Sequence, residues 1–251
     1  MIERVDDDGV AILTMAHGPV NAMDIELCEG IAETFRGLTA DPARAVVLTA
    51  GGGSFSAGVD LKRFLDGGAP YVERFLPALA DCFRAMFDLP KPVVAAVNGH
   101  AIAGGCVLAA CADVVLMADG KGRIGVPELK VGVPFPRIAL EVMRFAVGEV
   151  GARRMVMGAG TYKAVDAHAL GLVDVVVEPS ALRDKAVTLA KELAADVPPD
   201  TFAATKTALR REAVDRTDRY AADNDETAIR LWGRRAADGW VADYLERATK
   251  R

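Results

Sequence analysis

Two glycine-rich segments contain residues that could support catalysis through the backbone. Residues 54–61 (SFSAGVDL) and 98–106 (NGHAIAGGC) each follow a short apolar run and precede a segment with helical character. The first turn of a helix presents unpaired N–H groups and the positive end of the helix dipole. Two such N–H groups directed at one oxygen atom would form an oxyanion hole. Glycines that only permit a tight turn also explain either segment taken alone.

Glu128 is a candidate for the group that would move a proton near such a site. A thioester carbonyl acidifies the adjacent carbon only when the enolate oxygen is stabilised, and a base must then take the proton. Desolvation in a closed apolar pocket makes a carboxylate more basic. The alternative is a solvated or helix-capping glutamate in the first turn after Pro127.

The elements that must position these segments alternate along the chain. Short apolar runs predict buried strands at residues 10–15, 45–49, 93–97, 114–117 and 173–177. Apolar residues at helical spacing predict one helix after Asp24 and another over 71–89. Strands that alternate with helices usually pair in parallel, so we expect a layered α/β fold.

The chain is expected to form one large unit followed by a helical region. Of its 251 residues, 51% are hydrophobic, which is enough for a well-buried core. After Pro136 the predicted elements are mostly helical, and Pro198-Pro199 is the clearest break in the pattern. We therefore predict a core over residues 1–197 and a C-terminal helical region over 198–251.

Two glycine patterns match nucleotide-binding motifs without the context that those motifs need. Residues 120–125 fit GxGxxG, but Pro127 follows and no helix is expected to start there, so a hairpin turn is the better interpretation. Residues 53–58 lack the lysine and the hydroxyl residue of a phosphate-binding loop. A GxSxG serine-hydrolase motif is absent from the sequence.

Composition narrows the classes of partner and compartment. The net charge is −5 and its charges are interspersed, which argues against nucleic-acid binding. The acidic N-terminus does not resemble a signal peptide, and the apolar stretch 101–118 is interrupted by Asp113, so we expect a cytoplasmic protein with no membrane span. Four cysteines without metal-site spacing are interpreted as reduced, mostly buried thiols: Cys28, Cys82, Cys106 and Cys111.

Together, the segments resemble the enoyl-CoA hydratase/isomerase family of the crotonase superfamily. Residues 54–61 resemble the first oxyanion motif of that family, and 98–113 (NGHAIAGGCVLAACAD) resemble the second. Residues 126–136 (VPELKVGVPFP) resemble the segment that carries a catalytic carboxylate, and 18–24 (GPVNAMD) and 204–210 (ATKTALR) also match in place. The resemblance implies a ClpP/crotonase-like spiral core of repeated ββα units. It also implies a C-terminal helical region that forms trimers, often a dimer of trimers.

The resemblance assigns the catalytic groups residue by residue. The two oxyanion donors would be the backbone N–H groups of Val59 and Gly104, and Glu128 would be one of the two glutamates that the hydratases use. The other glutamate would stand at position 107, one helical turn from Gly104 and facing the same pocket, but this chain has Val107 there. Valine cannot bind the water that hydration requires.

This departure favours a Δ3,Δ2-enoyl-CoA isomerase in fatty-acid or related acyl-CoA metabolism. In such an enzyme one carboxylate, here Glu128, would take a proton from C2 and return it to C4. The family's isomerases resemble this sequence in having an aliphatic residue at the first acid position. An enoyl-CoA hydratase, or another lyase or hydrolase of the family, is the alternative if Glu73 or Asp66 supplies a second acid. A non-catalytic acyl-CoA-binding protein is the alternative of a different class.

Coenzyme A is implied as the carrier of the substrate, with no resident cofactor and no metal. The expected coenzyme A and substrate contacts are Val20, Asn21, Ala22, Ala57, Gly58, Asp60, Leu61, Lys62, Gly105, Val107 and Pro127. The adenine is expected near the backbone of 20–22 and Ala57. Lys62 would meet a phosphate oxygen, or else be a solvated lysine on a helix. His100 is expected to line the pocket entrance without a direct role.

The C-terminal region raises two further expectations. Lys206, Arg210 and Arg211 could contact the 3′-phosphate of coenzyme A, in this subunit or a neighbouring one, or could form an ordinary charged helix face. Trp232 and Trp240 are expected to pack at a contact between the subunits of the trimer.

Overall fold

The computed structural model describes residues 1–249, which form a mixed α/β fold. Its strands are β1 (Ile2–Asp7), β2 (Val10–Met15), β3 (Ala45–Ala50), β4 (Ser54–Ser56), β5 (Val93–Val97), β6 (His100–Ile102), β7 (Val114–Ala118), β8 (Ile124–Gly125), β9 (Thr161–Tyr162) and β10 (Val175–Val177). Its helices are α1 (Ile25–Gly37), α2 (Leu61–Phe87), α3 (Gly104–Ala110), α4 (Glu128–Val131), α5 (Arg137–Gly158), α6 (Ala164–Ala169), α7 (Leu182–Ala195), α8 (Pro199–Ala237) and α9 (Trp240–Thr249).

The strands form a large and a small sheet. The six-stranded sheet has the order β1-β2-β3-β5-β7-β10, and all of its pairs are parallel except β1 with β2. The four-stranded sheet has the order β4-β6-β8-β9. After β3, β5 and β7 the chain crosses to β4, β6 and β8 and then enters α2, α3 and α4 in turn. This threefold strand–strand–helix pattern confirms the predicted core of repeated ββα units.

The four central strands of the large sheet, β2, β3, β5 and β7, are buried on both faces because they are apolar at nearly every position. Along β2, Leu13 and Met15 point into the main core, whereas Val10 and Ile12 point to the opposite face. Helices α1, α2, α3 and α5 contribute to the main core, and α7 covers the opposite face. None of the helices within residues 1–249 has the length and apolar character needed to cross a membrane.

Most predicted elements are observed, with differences that have physical reasons. Asp24 caps α1 as expected, since its Oδ1 accepts a hydrogen bond from the N–H of Leu27 at 2.8 Å. The helix predicted over 71–89 begins earlier, at Leu61, because Gly68 (φ +58°) allows a kink that joins two helical segments. The hairpin predicted at residues 120–125 is wrong, since β7 and β8 lie in different sheets.

The C-terminal helix α8 is fastened to the core by buried charges. The Lys206 Nζ lies 2.6 Å from Asp113 Oδ2, and Arg210 Nη2 lies 2.7 Å from Asp113 Oδ1. Both side chains are buried. They therefore do not form the exposed charged helix face that was one expectation, and they are not free to contact the 3′-phosphate of coenzyme A, which was the other. Arg211 is exposed and pairs with Asp215 on the same helix. Trp232 is also buried within the chain, against Phe64 and Phe75, so the prediction of a subunit contact for it is wrong.

Candidate active site

A cavity of about 520 Å³ lies where the ββα units turn into their helices. Residues at the starts of α2, α3 and α4 line it, together with residues of α5, α8 and α9. Val59, Gly104 and Glu128, the three predicted catalytic residues, are all in this lining. The structure therefore brings together three positions that lie far apart in the sequence.

The Val59 N–H is directed away from its neighbouring segment. Met23 pairs with Val59 in an isolated parallel bridge, in which Gly58 O accepts from Met23 N at 2.7 Å and Met23 O accepts from Asp60 N at 3.0 Å. In such a bridge the central residue keeps its own N–H on the opposite side. No hydrogen bond within residues 1–249 uses the Val59 N–H, which leaves it available on the cavity side.

The Gly104 N–H becomes available because a sharp turn precedes it. Ala103 adopts φ +53° and ψ −120°, a conformation that is strained for a residue with a Cβ. Gly104 then opens α3, so its N–H has no acceptor in the helix, and no other described residue accepts from it. A Cβ on Gly104 would lie 2.8 Å from Met23 Sδ, so a larger residue here would require the methionine side chain to shift.

The two donor segments lie against each other. Strands β4 and β6, which lead into them, pair in parallel. A Cβ on Gly58 would lie 2.5 Å from the carbonyl oxygen of Ile102, and one on Gly105 would lie 2.7 Å from Ser56 Cβ. Val59 follows Gly58 and Gly104 precedes Gly105 on these two contacting segments, and both residues line the cavity. This arrangement can hold one oxyanion between two N–H groups.

Glu128 is a buried carboxyl group without a compensating charge. Glu128 is the first residue of α4 and lines the cavity. Its Oε2 atom is buried and has no hydrogen-bond partner. Burial raises the pKa of Glu128 to about 8, and its own backbone N–H opposes that rise only in part. A carboxyl group in this state is a base matched to proton transfer near neutral pH.

No second carboxyl group is free to act beside Glu128 in the cavity among the residues that the structure describes. Val107 is buried and lines the cavity, as its position predicted. Glu73 and Asp66 are exposed and are not part of the lining. Asp60 is in the lining, but its side chain caps α2 by accepting from the N–H groups of residues 62 and 63 at 3.0 Å.

The predicted coenzyme A contacts divide into two groups. The cavity lining includes Val20, Ala22, Ala57, Asp60, Leu61, Lys62, Val107 and Pro127. Three predicted residues lie behind the lining instead: Asn21, Gly58 and Gly105. Asn21 is a structural residue, since its side chain accepts from His17 N at 2.8 Å and donates to Ser54 O at 3.0 Å. His100 lies on β6 and is not part of the cavity lining.

Three lining residues come from the C-terminal helices and were not anticipated. Trp232 of α8 and Tyr244 and Leu245 of α9 line the same cavity as Glu128. Tyr244 is near enough for the negative charge of Glu128 to contribute to raising the pKa of the phenol, although burial is the larger cause. The sequence signal that could have identified these residues is the presence of aromatic side chains in a largely polar C-terminal region. Among residues 1–249, no cluster of His, Cys, Asp or Glu side chains is arranged to hold a metal ion.

Two backbone N–H donors and one buried carboxyl group on a shared cavity, carried by repeated ββα units, define a class of proteins able to stabilise an enolate. Residues 6–247 match the family model described as enoyl-CoA hydratase/isomerase. The chain belongs to the enoyl-CoA hydratase/isomerase family, within the crotonase superfamily, and is thus an acyl-CoA enzyme of that family.

Individual relatives carry different activity names. A putative enoyl-CoA hydratase of Thermus thermophilus is 38% identical over 182 residues, 71% of each chain. A carnitinyl-CoA dehydratase of Salmonella paratyphi A is 35% identical over 189 residues, 74% of this chain and 71% of that one.

Solved structures agree on the fold. An enoyl-CoA isomerase of Mycobacterium tuberculosis has a TM-score of 0.78 at 28% identity, over 96% of this chain and 97% of that one. Human mitochondrial Δ3,Δ2-enoyl-CoA isomerase has a TM-score of 0.88 at 22% identity, over 99% and 98% of the two chains, a likeness of fold alone.

Proposed function

We propose that the protein is a Δ3,Δ2-enoyl-CoA isomerase in which Glu128 carries the proton. The observation that supports this reaction is the pairing of one uncompensated buried carboxyl group with Val107 in the same apolar cavity. Hydration by this family requires a water held between two carboxylates, and a valine side chain neither binds nor polarises water. An isomerisation needs one base and no water.

The proposed steps balance without a cofactor. The Glu128 carboxylate takes a proton from C2 of a 3-enoyl thioester, and the electron pair moves onto the thioester oxygen to give a dienolate. The N–H groups of Val59 and Gly104 stabilise that oxygen, each contributing about 10²–10³-fold in rate. Glu128 then returns the proton to C4, the double bond forms between C2 and C3, and the carboxylate is regenerated.

Coenzyme A is proposed to bind along the exposed edge of the same cavity. The backbone at Val20–Ala22 and Ala57 would contact the adenine, since these segments are tied together by the hydrogen bond from Ala57 N to Val20 O at 2.9 Å. Lys62 would meet a phosphate oxygen, because its side chain is exposed and lines the cavity.

The test compares two substrates with one protein preparation. The purified protein is incubated separately with a 3-enoyl-CoA and a 2-enoyl-CoA, and the products are separated by liquid chromatography. We expect conversion of the 3-enoyl to the 2-enoyl thioester, with no comparable formation of 3-hydroxyacyl-CoA. The Glu128→Gln variant, prepared in parallel, controls for contaminating host enzymes.

Other outcomes would favour the alternatives. Fast hydration of the 2-enoyl thioester without isomerisation would reject the proposal and favour a hydratase, the activity that the names of the curated relatives suggest. Tight binding of acyl-CoA without turnover, across thioesters of several chain lengths, would favour a binding protein.

We further propose that the chain assembles as a homotrimer or a dimer of trimers in the cytoplasm. Large apolar side chains are exposed on α5, α6 and α8, at Val150, Met157, Val165 and Leu209, as expected for surfaces covered by another subunit. The four cysteines are free, consistent with a reducing compartment. Light scattering should give a mass of about three or six times 26.5 kDa; a monomer would contradict the assembly.

A further inference from the structure

The backbone that follows Glu128 is held by side chains of the C-terminal helices. Five side chains of α8 and α9 bond to main-chain atoms between residues 130 and 137. The bonds are Trp240 Nε1 to Lys130 O at 3.3 Å, Arg235 Nε to Gly132 O at 3.1 Å, Trp232 Nε1 to Pro134 O at 2.8 Å, Asn224 Nδ2 to Phe135 O at 3.1 Å, and Arg137 N to Asp225 Oδ1 at 2.8 Å. The position of α4, and hence of Glu128, thus depends on the C-terminal helices.

Trp240, the first residue of α9, contacts the end of α4. Its ring lies against Gly132, the residue that ends α4 with φ +95°. A Cβ at Gly132 would lie 2.6 Å from Trp240 Cδ1. The glycine therefore permits both the left-handed turn and the packing of the indole ring on the backbone, a contact called here the seat of α9. Arg235 lies 5.9 Å from the centre of the same ring and pairs with Asp238 just before it. Trp240 is 49% exposed, so its inner edge alone makes this contact.

From this anchor, α9 extends over the cavity. Tyr244 and Leu245, one turn beyond Trp240, are part of the lining beside Glu128. Without α9 the cavity would lose the Tyr244 and Leu245 side chains, because the remaining lining comes from helices α2, α3, α4, α5 and α8, from β6 and from loop residues before these helices. The helix therefore separates the Glu128 carboxyl group from bulk water.

The groups that face Glu128 are neutral near neutral pH. On α3, burial raises the pKa of the Cys106 thiol well above its ordinary value, and the Glu128 charge adds to this. On α9, burial raises the pKa of the Tyr244 phenol. The other charged residues in the lining are Asp60, which caps α2, and the exposed Lys62. Access of water is therefore the main variable in the ionisation of Glu128.

We propose that Trp240 is a positioning residue: by seating α9 on Gly132, it keeps water away from the Glu128 carboxyl group and holds that group at the cavity wall. The inference rests on the proposed function only for its effect on turnover. If the seat is lost, α9 lifts and water reaches Glu128, whose pKa then moves from about 8 toward its ordinary value. The carboxylate becomes a weaker base.

The test titrates Glu128 directly, without substrate. Infrared difference spectra between each protein and its Glu128→Gln counterpart follow the carboxyl band of this one residue as pH changes. We expect the midpoint of Trp240→Ala to fall by about one pH unit or more, and that of Trp240→Phe, which retains a ring against Gly132, to stay close to the parent. Val5→Ala, which shortens a 54% exposed side chain on β1 outside the cavity lining, is the surface control and should leave the midpoint unchanged.

A second variant keeps the proposal testable if Trp240→Ala does not fold. Leu245→Ala shortens a lining side chain of α9 without altering the seat, and it should lower the midpoint in the same direction by a smaller amount. A midpoint unchanged in every folded variant of Trp240 and Leu245 would overturn the proposal. Because no substrate is present, this outcome is independent of whether the protein isomerises 3-enoyl thioesters.

Discussion

Two buried glutamates of this protein have opposite surroundings. The carboxylate of Glu141 on α5 is fully buried and accepts hydrogen bonds from Arg137, from Arg144 at 2.9 Å and from Arg216 at 2.7 Å. Glu128 is buried as well, yet it pairs with no cation among residues 1–249 and one of its oxygens has no partner. Glu141 ties α5 to α8, whereas Glu128 lies on the cavity.

The difference separates a structural charge from a reactive one. A buried carboxylate that is surrounded by donors is held in place and gives up little by staying ionised. A buried carboxyl group without donors has a high free energy when ionised, and a substrate proton can lower that free energy. The comparison therefore predicts that neutralising each glutamate affects a different property of the protein.

The largest expected effect is on turnover. Glu128→Gln should lower kcat for a 3-enoyl thioester by about 10²–10⁴-fold, because an amide cannot take the C2 proton. Circular dichroism should show a fold like that of the parent. Near-parental activity in this variant would remove Glu128 from the mechanism and leave the paired N–H groups without a base.

The next effect is on folding, and it concerns the other glutamate. Glu141→Gln leaves three arginines facing a neutral amide, and breaking a buried ion cluster in this way costs about 3–5 kcal/mol of unfolding free energy. Urea denaturation measures the change, and kcat of the folded fraction should remain close to the parent. A loss of kcat with unchanged stability would contradict the division of roles.

The third effect is on the pH dependence of stability, where ionisation of Glu128 destabilises the folded protein. The folded pKa of Glu128, about 8, lies above its ordinary 4.5, so the folded chain holds a proton that the unfolded chain has lost between these two pH values. Stability of the parent therefore falls as pH rises through this window. At about 1.36 kcal/mol per pKa unit, the full loss across this window is on the order of 5 kcal/mol.

The variant Glu128→Gln does not titrate and should avoid this loss. Its unfolding free energy should match the parent near pH 5 and exceed it by on the order of 5 kcal/mol at about pH 9. Urea denaturation of both proteins across this range provides the measurement, with Glu141→Gln as the comparison that is less stable throughout. Parallel pH profiles for the parent and Glu128→Gln would show that Glu128 is not destabilising.

Local patterns predicted the parts of this comparison that depend on neighbouring residues. Apolar runs and helical spacing predicted the layered α/β fold. The family resemblance implied the ββα core and singled out Val59, Gly104 and Glu128, which the structure places on one cavity. Parts that depend on distant residues could not be obtained in this way. Helical spacing does not show that Lys206 meets Asp113, or that Tyr244 reaches the cavity.

The smallest predicted effect concerns two lysines that differ as the glutamates do. Lys206 is buried and paired with Asp113 at 2.6 Å, whereas the Lys62 side chain is exposed on the cavity edge and pairs with no acidic residue among residues 1–249. If Lys62 meets a phosphate of coenzyme A, an exposed ion pair of about 1 kcal/mol is lost in Lys62→Ala, which raises KM about fivefold with kcat unchanged. High salt should reduce the difference, since it screens exposed charges.

Two controls sharpen this last measurement. Lys121→Ala removes an exposed lysine that is not part of the cavity lining and should not change KM. A pantetheine thioester of the same acyl chain lacks the nucleotide, so the parent and Lys62→Ala should use it equally well. An equal KM for the full coenzyme A thioester would show that Lys62 is a solvated lysine on α2. An equal rise in KM for both thioesters would instead place Lys62 against the acyl-carrying arm, which the two substrates share.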